Sequence, residues 1–76
     1  MKLYLLSQIV NCGYDTYSNC VVCANDHDDA AMITPNPDGK WGNGWAHRPE
    51  EIIVEYLGEA RDGLERGVIC ASYHAG

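Results

Sequence analysis

One stretch of the sequence decides the fold, and it spans residues 13–24: Gly13-Tyr14-Asp15-Thr16-Tyr17-Ser18-Asn19-Cys20-Val21-Val22-Cys23-Ala24. Its second half is a short run of small and β-branched apolar residues, which is typical of a buried strand. The same half contains a Cys-x-x-Cys pair, Cys20 and Cys23, which is also typical of metal and redox sites. The geometry of this stretch therefore decides whether the chain has chemistry of its own.

The strand interpretation separates the two thiols. Residues three apart in a strand point to opposite faces of the sheet and lie ~10 Å apart along the chain, whereas a zinc ion needs thiolates that converge on one point. Cys12 and Cys70 stand alone in the sequence, and His27 lies among carboxylates at a predicted helix start. We therefore predict that Cys20 and Cys23 pack as small hydrophobic residues, with no metal and no cofactor. The alternative that stays open is a small zinc-binding or regulatory module that uses Cys20 and Cys23.

The residues around this stretch predict a hairpin followed by a helix. Residues 2–10 alternate as a strand, with two apolar faces: Leu3, Leu5 and Ile9 on one, and Tyr4, Leu6 and Val10 on the other. A turn signal at residues 11–13 and a second strand over residues 18–25 predict an antiparallel hairpin. A cap at Asn25 or Asp26 begins a helix, which ends near Thr34 because Pro35 disfavours helical backbone in the residue before it.

The second half of the chain predicts two more strands. Residues 34–51 are rich in Gly, Pro and Asn and form a long loop. Residues 52–57 form the third strand, residues 59–66 a polar connection with one short helical turn, and residues 67–73 the fourth strand. The predicted fold class is α+β, with the order β-β-α-β-β: a four-stranded, mainly antiparallel sheet with one short helix on one face.

The length of 76 residues predicts a single domain, residues 1–76, with a marginal core of its own. The strands are apolar on both faces, and one short helix covers only one face. Either the long loop folds back over the sheet or a second copy of the sheet packs against it. We favour a homodimer or a higher oligomer, because self-association is the common way for a small domain to enlarge its core.

The net charge limits the classes of partner that the protein can be expected to bind. Eleven acidic residues against five basic ones give a formal net charge of −6, which argues against direct nucleic-acid binding and is compatible with docking on a basic protein surface. The sequence has no secretory signal pattern and no apolar run near the ~20 residues that a membrane helix needs. We expect a cytoplasmic protein with no membrane contact.

The long loop contains the best binding candidates in the sequence: Lys40, Trp41, Trp45, His47 and Arg48. Indole rings stack on bases and cations, and a guanidinium group binds phosphate or carboxylate. The alternative is that both tryptophans fold down as a cover for the sheet. We do not expect an enzyme, because nothing in the sequence places a histidine beside a cysteine and so small a domain has little room for a pocket of ~300 Å³ or more.

Tyr14 and Tyr17 flank Asp15 in the predicted hairpin loop and form a second candidate surface. Tyrosine is common where one end of a side chain contacts apolar atoms and the other contacts water, as at recognition surfaces. The alternative is that the two rings pack across the hairpin.

Four segments resemble short proteins encoded by tailed phages and prophages. They are Gly13-Tyr14-Asp15-Thr16-Tyr17, Cys20-Val21-Val22-Cys23-Ala24, Leu57-Gly58-Glu59-Ala60 and Gly67-Val68-Ile69-Cys70-Ala71-Ser72-Tyr73-His74-Ala75-Gly76. The resemblance covers most of the chain apart from the loop at residues 35–50, and its motifs are structural rather than catalytic. No functional residue is carried over from it.

This resemblance implies a non-enzymatic accessory role in the cytoplasm of an infected bacterium. By analogy, such a protein inhibits an anti-phage defence by binding. It either docks on a host defence protein or sequesters a nucleotide-type signal. A signal-sequestering oligomer would need an anion pocket, formed by Lys40, Arg48 and the tryptophans at a subunit interface.

Overall fold

The predicted hairpin lies at the centre of the sheet. The computed structural model describes residues 1–74, and its elements are β1 (Lys2–Ser7), β2 (Thr16–Ala24), α1 (His27–Ala31), a 3₁₀ helix (Pro49–Glu51), β3 (Ile53–Glu59) and β4 (Gly67–His74). β1 pairs antiparallel with β2, while β3 adds to the free side of β1 and β4 to the free side of β2. The strand order is β3-β1-β2-β4. The α+β class and the β-β-α-β-β order are confirmed.

One face of the sheet carries the core. Tyr4 and Leu6 on β1 lie opposite Val22 and Cys20 on β2, and all four side chains are buried. They pack in one cluster with residues from α1, from the turn after it and from the long loop: Ala30, Ile33, Trp45 and Ala46. The helix and the long loop therefore cover the same face, and the opposite face keeps exposed apolar side chains.

The first strand is shorter than predicted, ending at Ser7 instead of residue 10. Ile9 is 79 % exposed and belongs to the turn, not to an apolar face. The buried side chain of Gln8 explains this ending. Its Oε1 accepts the backbone N–H of Asn11, and its Nε2 donates to the carbonyl oxygens of Asn11 and Tyr17, each at 2.7 Å. These bonds bend the chain, because they fix the turn instead of continuing the ladder.

The helix begins where predicted and ends early. Asp26 is the cap, and its side chain accepts the N–H of Asp29 at 2.8 Å. The last helical residue is Ala31, and the chain then tightens as Ile33 N–H donates to Ala30 O at 3.1 Å. With five residues, α1 is one turn and a half long. Within residues 1–74, no helix is long and apolar enough to cross a membrane.

Two details of the second half also differ from the sequence prediction. The 3₁₀ helix at Pro49–Glu51 lies inside the predicted loop, and Arg48 immediately precedes it. The connection between β3 and β4 is a turn, closed by a hydrogen bond from Leu64 N–H to Arg61 O at 3.3 Å, rather than a helical segment.

Candidate functional site

The long loop is fastened to the core face by its own backbone. Tyr17 N–H donates to Gly44 O at 2.7 Å, and the side-chain amide of Asn11 donates to Gly42 O at 2.9 Å. These bonds position the indole of Trp45, which is 0 % exposed in the core cluster. Trp41 is partly buried against the same cluster. Of the two roles predicted for the tryptophans, covering the sheet is the one that describes Trp45, whose ring cannot stack on a ligand.

The basic residues of the loop lie on its exposed side. His47 and Arg48 both contact the carboxylate of Glu51. The backbone N–H of His47 donates to it at 2.8 Å, and Arg48 Nε lies 3.9 Å from it. Lys40 is exposed, and its carbonyl oxygen accepts the side-chain amide of Asn36 at 2.9 Å. Part of the positive charge of this loop therefore lies beside the Glu51 carboxylate. Because Trp45 is buried, these cations do not lie against an open face of its indole ring.

The two tyrosines have different environments. Tyr14 is 73 % exposed at the hairpin turn. Tyr17 is half-buried and packs on Tyr73 of β4, with ring centroids 4.8 Å apart. The hydroxyl of Tyr73 lies 3.3 Å from Asp15 Oδ1. Tyr17 therefore connects the hairpin to β4 through Tyr73, and the exposed Tyr14 is the candidate recognition side chain of this turn.

The Cys-x-x-Cys pair lies within β2, as predicted. Cys20 is opposite Leu6 on the core face, whereas Cys23 is opposite Leu3 on the other face. Burial, together with the neighbouring thiol of Cys70, raises the pKa of Cys20 to about 12. The Cys20 thiol is therefore protonated at neutral pH and is a poor nucleophile.

Residues 1–74 contain no group of three or more His, Cys, Asp or Glu side chains placed to share a metal ion. The alternative zinc module has no shared ligand position in the Cys20–Cys23 pair, because the two thiols lie on opposite faces of the strand.

A groove of about 350 Å³ lies between α1, the 3₁₀ helix and β3, lined by His27, Asp28, Ala31, Met32, Pro49, Glu50, Ile52 and Val54. Its floor is apolar, with Val54 and Ile52 half-buried and Met32 57 % exposed. Its ionisable rim consists of one histidine and two carboxylates. The Asp28 carboxylate is fully exposed, and His27 Nδ1 lies 3.6 Å from it.

An apolar floor with an acidic rim has a definite chemical preference. It favours a partner segment that inserts one apolar side chain and places Lys or Arg beside the rim. Sequence reasoning missed this groove, since it considered His27 only at a predicted helix start among carboxylates and gave Glu50 no binding role. The groove arises only when α1 packs beside β3, and these elements are separated by more than twenty residues.

Comparisons with known proteins add no homologue to this picture. No protein-family model matches the chain, and no significantly similar relative was found among curated proteins or solved structures. The functional argument therefore rests on the residues of the chain and on the geometry of its surfaces.

Proposed function

We propose that the protein is a non-enzymatic inhibitor, encoded by a tailed phage or prophage, that acts in the cytoplasm of the infected bacterium. Its target is a protein of an anti-phage defence, on which it docks through the groove between α1 and β3. The observation that carries this proposal is the combination of an apolar floor with the exposed carboxylates of Asp28 and Glu50. On a chain with a net charge of −6, this combination fits a basic partner surface, including one that normally holds nucleic acid.

Docking on a protein is better supported than sequestering a nucleotide signal. A nucleotide site needs an open aromatic face and cations aimed at the phosphates. Trp45 is completely buried, and Arg48 and His47 already lie beside Glu51. An anion pocket built by two subunits would have to use Lys40 and the exposed parts of Arg48 and Trp41. This is a smaller donor set than the sequence suggested.

The test compares charge reversal in the groove with the same reversal elsewhere. The groove variant is Asp28→Lys/Glu50→Lys, and its matched control is Asp62→Lys/Glu65→Lys, which reverses two exposed carboxylates in the β3–β4 connection. Each protein is expressed in bacterial strains that carry one defence system each, and plaquing efficiency is measured with co-purification of the tagged defence protein. We expect the wild type and the control to restore plaquing against the target system, and the groove variant to lose at least about tenfold.

Two outcomes would contradict the proposal. If the groove variant restores plaquing as well as the control does, the groove is not the docking site. If cyclic nucleotides or ADP-ribose derivatives raise the melting temperature of the wild type, the protein binds a nucleotide signal, since a ligand that binds only the folded state stabilises it.

A further inference from the structure

We propose that two copies of the chain form a two-fold symmetric homodimer by packing together the sheet faces that lie opposite α1. This assembly is independent of the docking proposed above, because it uses the other side of the sheet. The face follows from the strand register, since residues directly opposite each other in antiparallel strands point to the same side. Its three rows are Glu55-Leu5-Val21-Cys70, Gly58-Leu3-Cys23-Gly67 and Ile53-Ser7-Asn19-Ser72.

The centre of this face is apolar and remains accessible. Leu5 and Val21 lie side by side on the two central strands and are half-buried, Cys70 is exposed, and Ile53 is 58 % exposed. Buried Cys23 lies beneath Met1, with 3.9 Å between their sulfur atoms. The long loop, the segment of the chain that was expected to compete for this face, is held on the core face by Trp45. A second copy supplies the apolar surface that the loop does not.

The distribution of charge favours a second copy, rather than a basic partner, as the occupant of this face. Charged residues make up 21 % of the sequence, but among the twelve positions of this face only Glu55 is charged. Two chains with a net charge of −6 repel each other, so they approach most easily through a nearly neutral surface. Glu55 lies on β3, an edge strand, where its carboxylate can stay in water at the rim of the dimer.

The size of the face sets the strength of the dimer. Strands lie ~4.8 Å apart and residues on one face repeat every ~6.6 Å, so twelve positions cover about 380 Å² per copy in projection. Two copies bury about 760 Å² before side-chain relief is counted, which is below the ~1,200 Å² of standard specific interfaces and falls in the range of weak ones. Two stacked sheets ~10 Å apart, with strands crossing at about 30°, satisfy this geometry. We therefore expect a reversible dimer with a Kd of about 1–100 μM rather than an obligate one.

The test is sedimentation of the purified protein over a concentration range of about 1 μM to 1 mM. The wild type is expected to pass from monomer to dimer within that range. Leu5→Lys, at the centre of this face, is expected to raise the Kd at least about thirtyfold, and Ile53→Lys, nearer the rim on β3, at least about threefold. The control is Ile9→Lys, which makes the same change of charge at a side chain 79 % exposed in the β1–β2 turn, and it should leave the Kd unchanged.

The same data exclude the other geometries. A wild type that stays monomeric throughout the range overturns the proposal, as does a dimer that neither Leu5→Lys nor Ile53→Lys weakens. Far-UV circular dichroism shows whether each variant is folded. Ile53→Lys remains decisive if Leu5→Lys unfolds the chain, because Ile53 is mostly exposed.

Discussion

At the scale of single residues, Asp29 joins three parts of the chain. Its carboxylate accepts hydrogen bonds from the Arg66 guanidinium, with the shortest contact at 2.8 Å, and from the backbone N–H of Asn25 at 2.9 Å. Its own N–H donates to the helix cap Asp26. The hydrogen bonds from Arg66 and then from Asn25 lower the Asp29 pKa from 3.8 to about 2. One side chain thus fixes the start of α1 and the approach to β4.

Replacing Asp29 by Asn should make the protein less stable at neutral pH and should remove one source of acid sensitivity. The folded-state pKa is depressed, so the ionised carboxylate stabilises the fold above pH ~4, and this contribution is lost as the pH falls towards 2. Because Arg66 is 46 % exposed, solvent screening limits the expected loss at pH 7 to about 0.5–1 kcal/mol.

Urea unfolding at pH 7, 5, 4 and 3 measures the effect, with Asp62→Asn as the control carboxylate in the β3–β4 connection. The gap between wild type and Asp29→Asn should narrow steadily below pH 4. A gap that is constant with pH would mean that the negative charge of Asp29 does not stabilise the fold.

The cysteines show how far residue-level reasoning reaches from sequence alone. The alternation of strand faces was sufficient to place Cys20 and Cys23 on opposite sides of β2, because that periodicity is a local property of the backbone. The burial of Trp45 could not be chosen over exposure in the same way. Its environment is created by Asn11, Tyr17 and the core face, which are distant in sequence.

At the scale of elements, the contact between the long loop and the β1–β2 turn depends on a glycine. Gly44 has φ +81°, and a Cβ atom at this position would lie 2.8 Å from Asp15 O. Gly39, in the same loop, has a similar φ of +73° but open space around its Cα. A side chain at Gly39 would therefore meet only backbone strain, whereas a side chain at Gly44 would meet the same strain and a close backbone atom.

Gly44→Ala should destabilise the fold by about 2–4 kcal/mol, because it adds a backbone clash to the cost of a left-handed conformation. Gly39→Ala should cost only about 1 kcal/mol, since it has the conformational term alone. The free energy of unfolding in urea measures both, and the difference between them reports the contact of the loop with the hairpin. Equal losses would show that the loop yields at Asp15 without cost and that Trp45 does not depend on this contact.

The elements themselves follow from local sequence better than their ends do. Alternating and β-branched residues were enough to predict all four strands. The cap residue types placed the helix start at Asn25 or Asp26, and the structure uses Asp26. The ending of β1 at Ser7 was not predictable, because it depends on the Gln8 side chain reaching Tyr17, nine residues away. The 3₁₀ helix at Pro49–Glu51 was missed because it is a single short turn inside a loop rich in turn residues.

At the scale of the whole molecule, the sheet separates two surfaces of different chemistry. The side that carries α1 presents the groove with its acidic rim, and the opposite side presents the nearly neutral face around Leu5 and Val21. Sequence reasoning expected apolar residues on both sides of the sheet. It could not locate the groove, because the groove depends on β3 pairing with β1. Local periodicity predicts strands but does not predict which strands pair.

The two surfaces should respond to salt in opposite directions. Two copies at −6 whose centres are ~20 Å apart repel by about 1 kcal/mol at 0.1 M salt and by almost nothing at 0.5 M. Raising the salt over this range should therefore tighten the homodimer about fivefold. Docking on a basic partner is an attraction between opposite charges, so the same change should weaken it.

Sedimentation of the protein alone and titration of its defence target at both salt concentrations measure the two responses. If both responses had the same sign, either the docking would not rest on attraction between opposite charges or the net charge would not oppose dimerisation, and the chemistry assigned to the groove and the open face would be wrong.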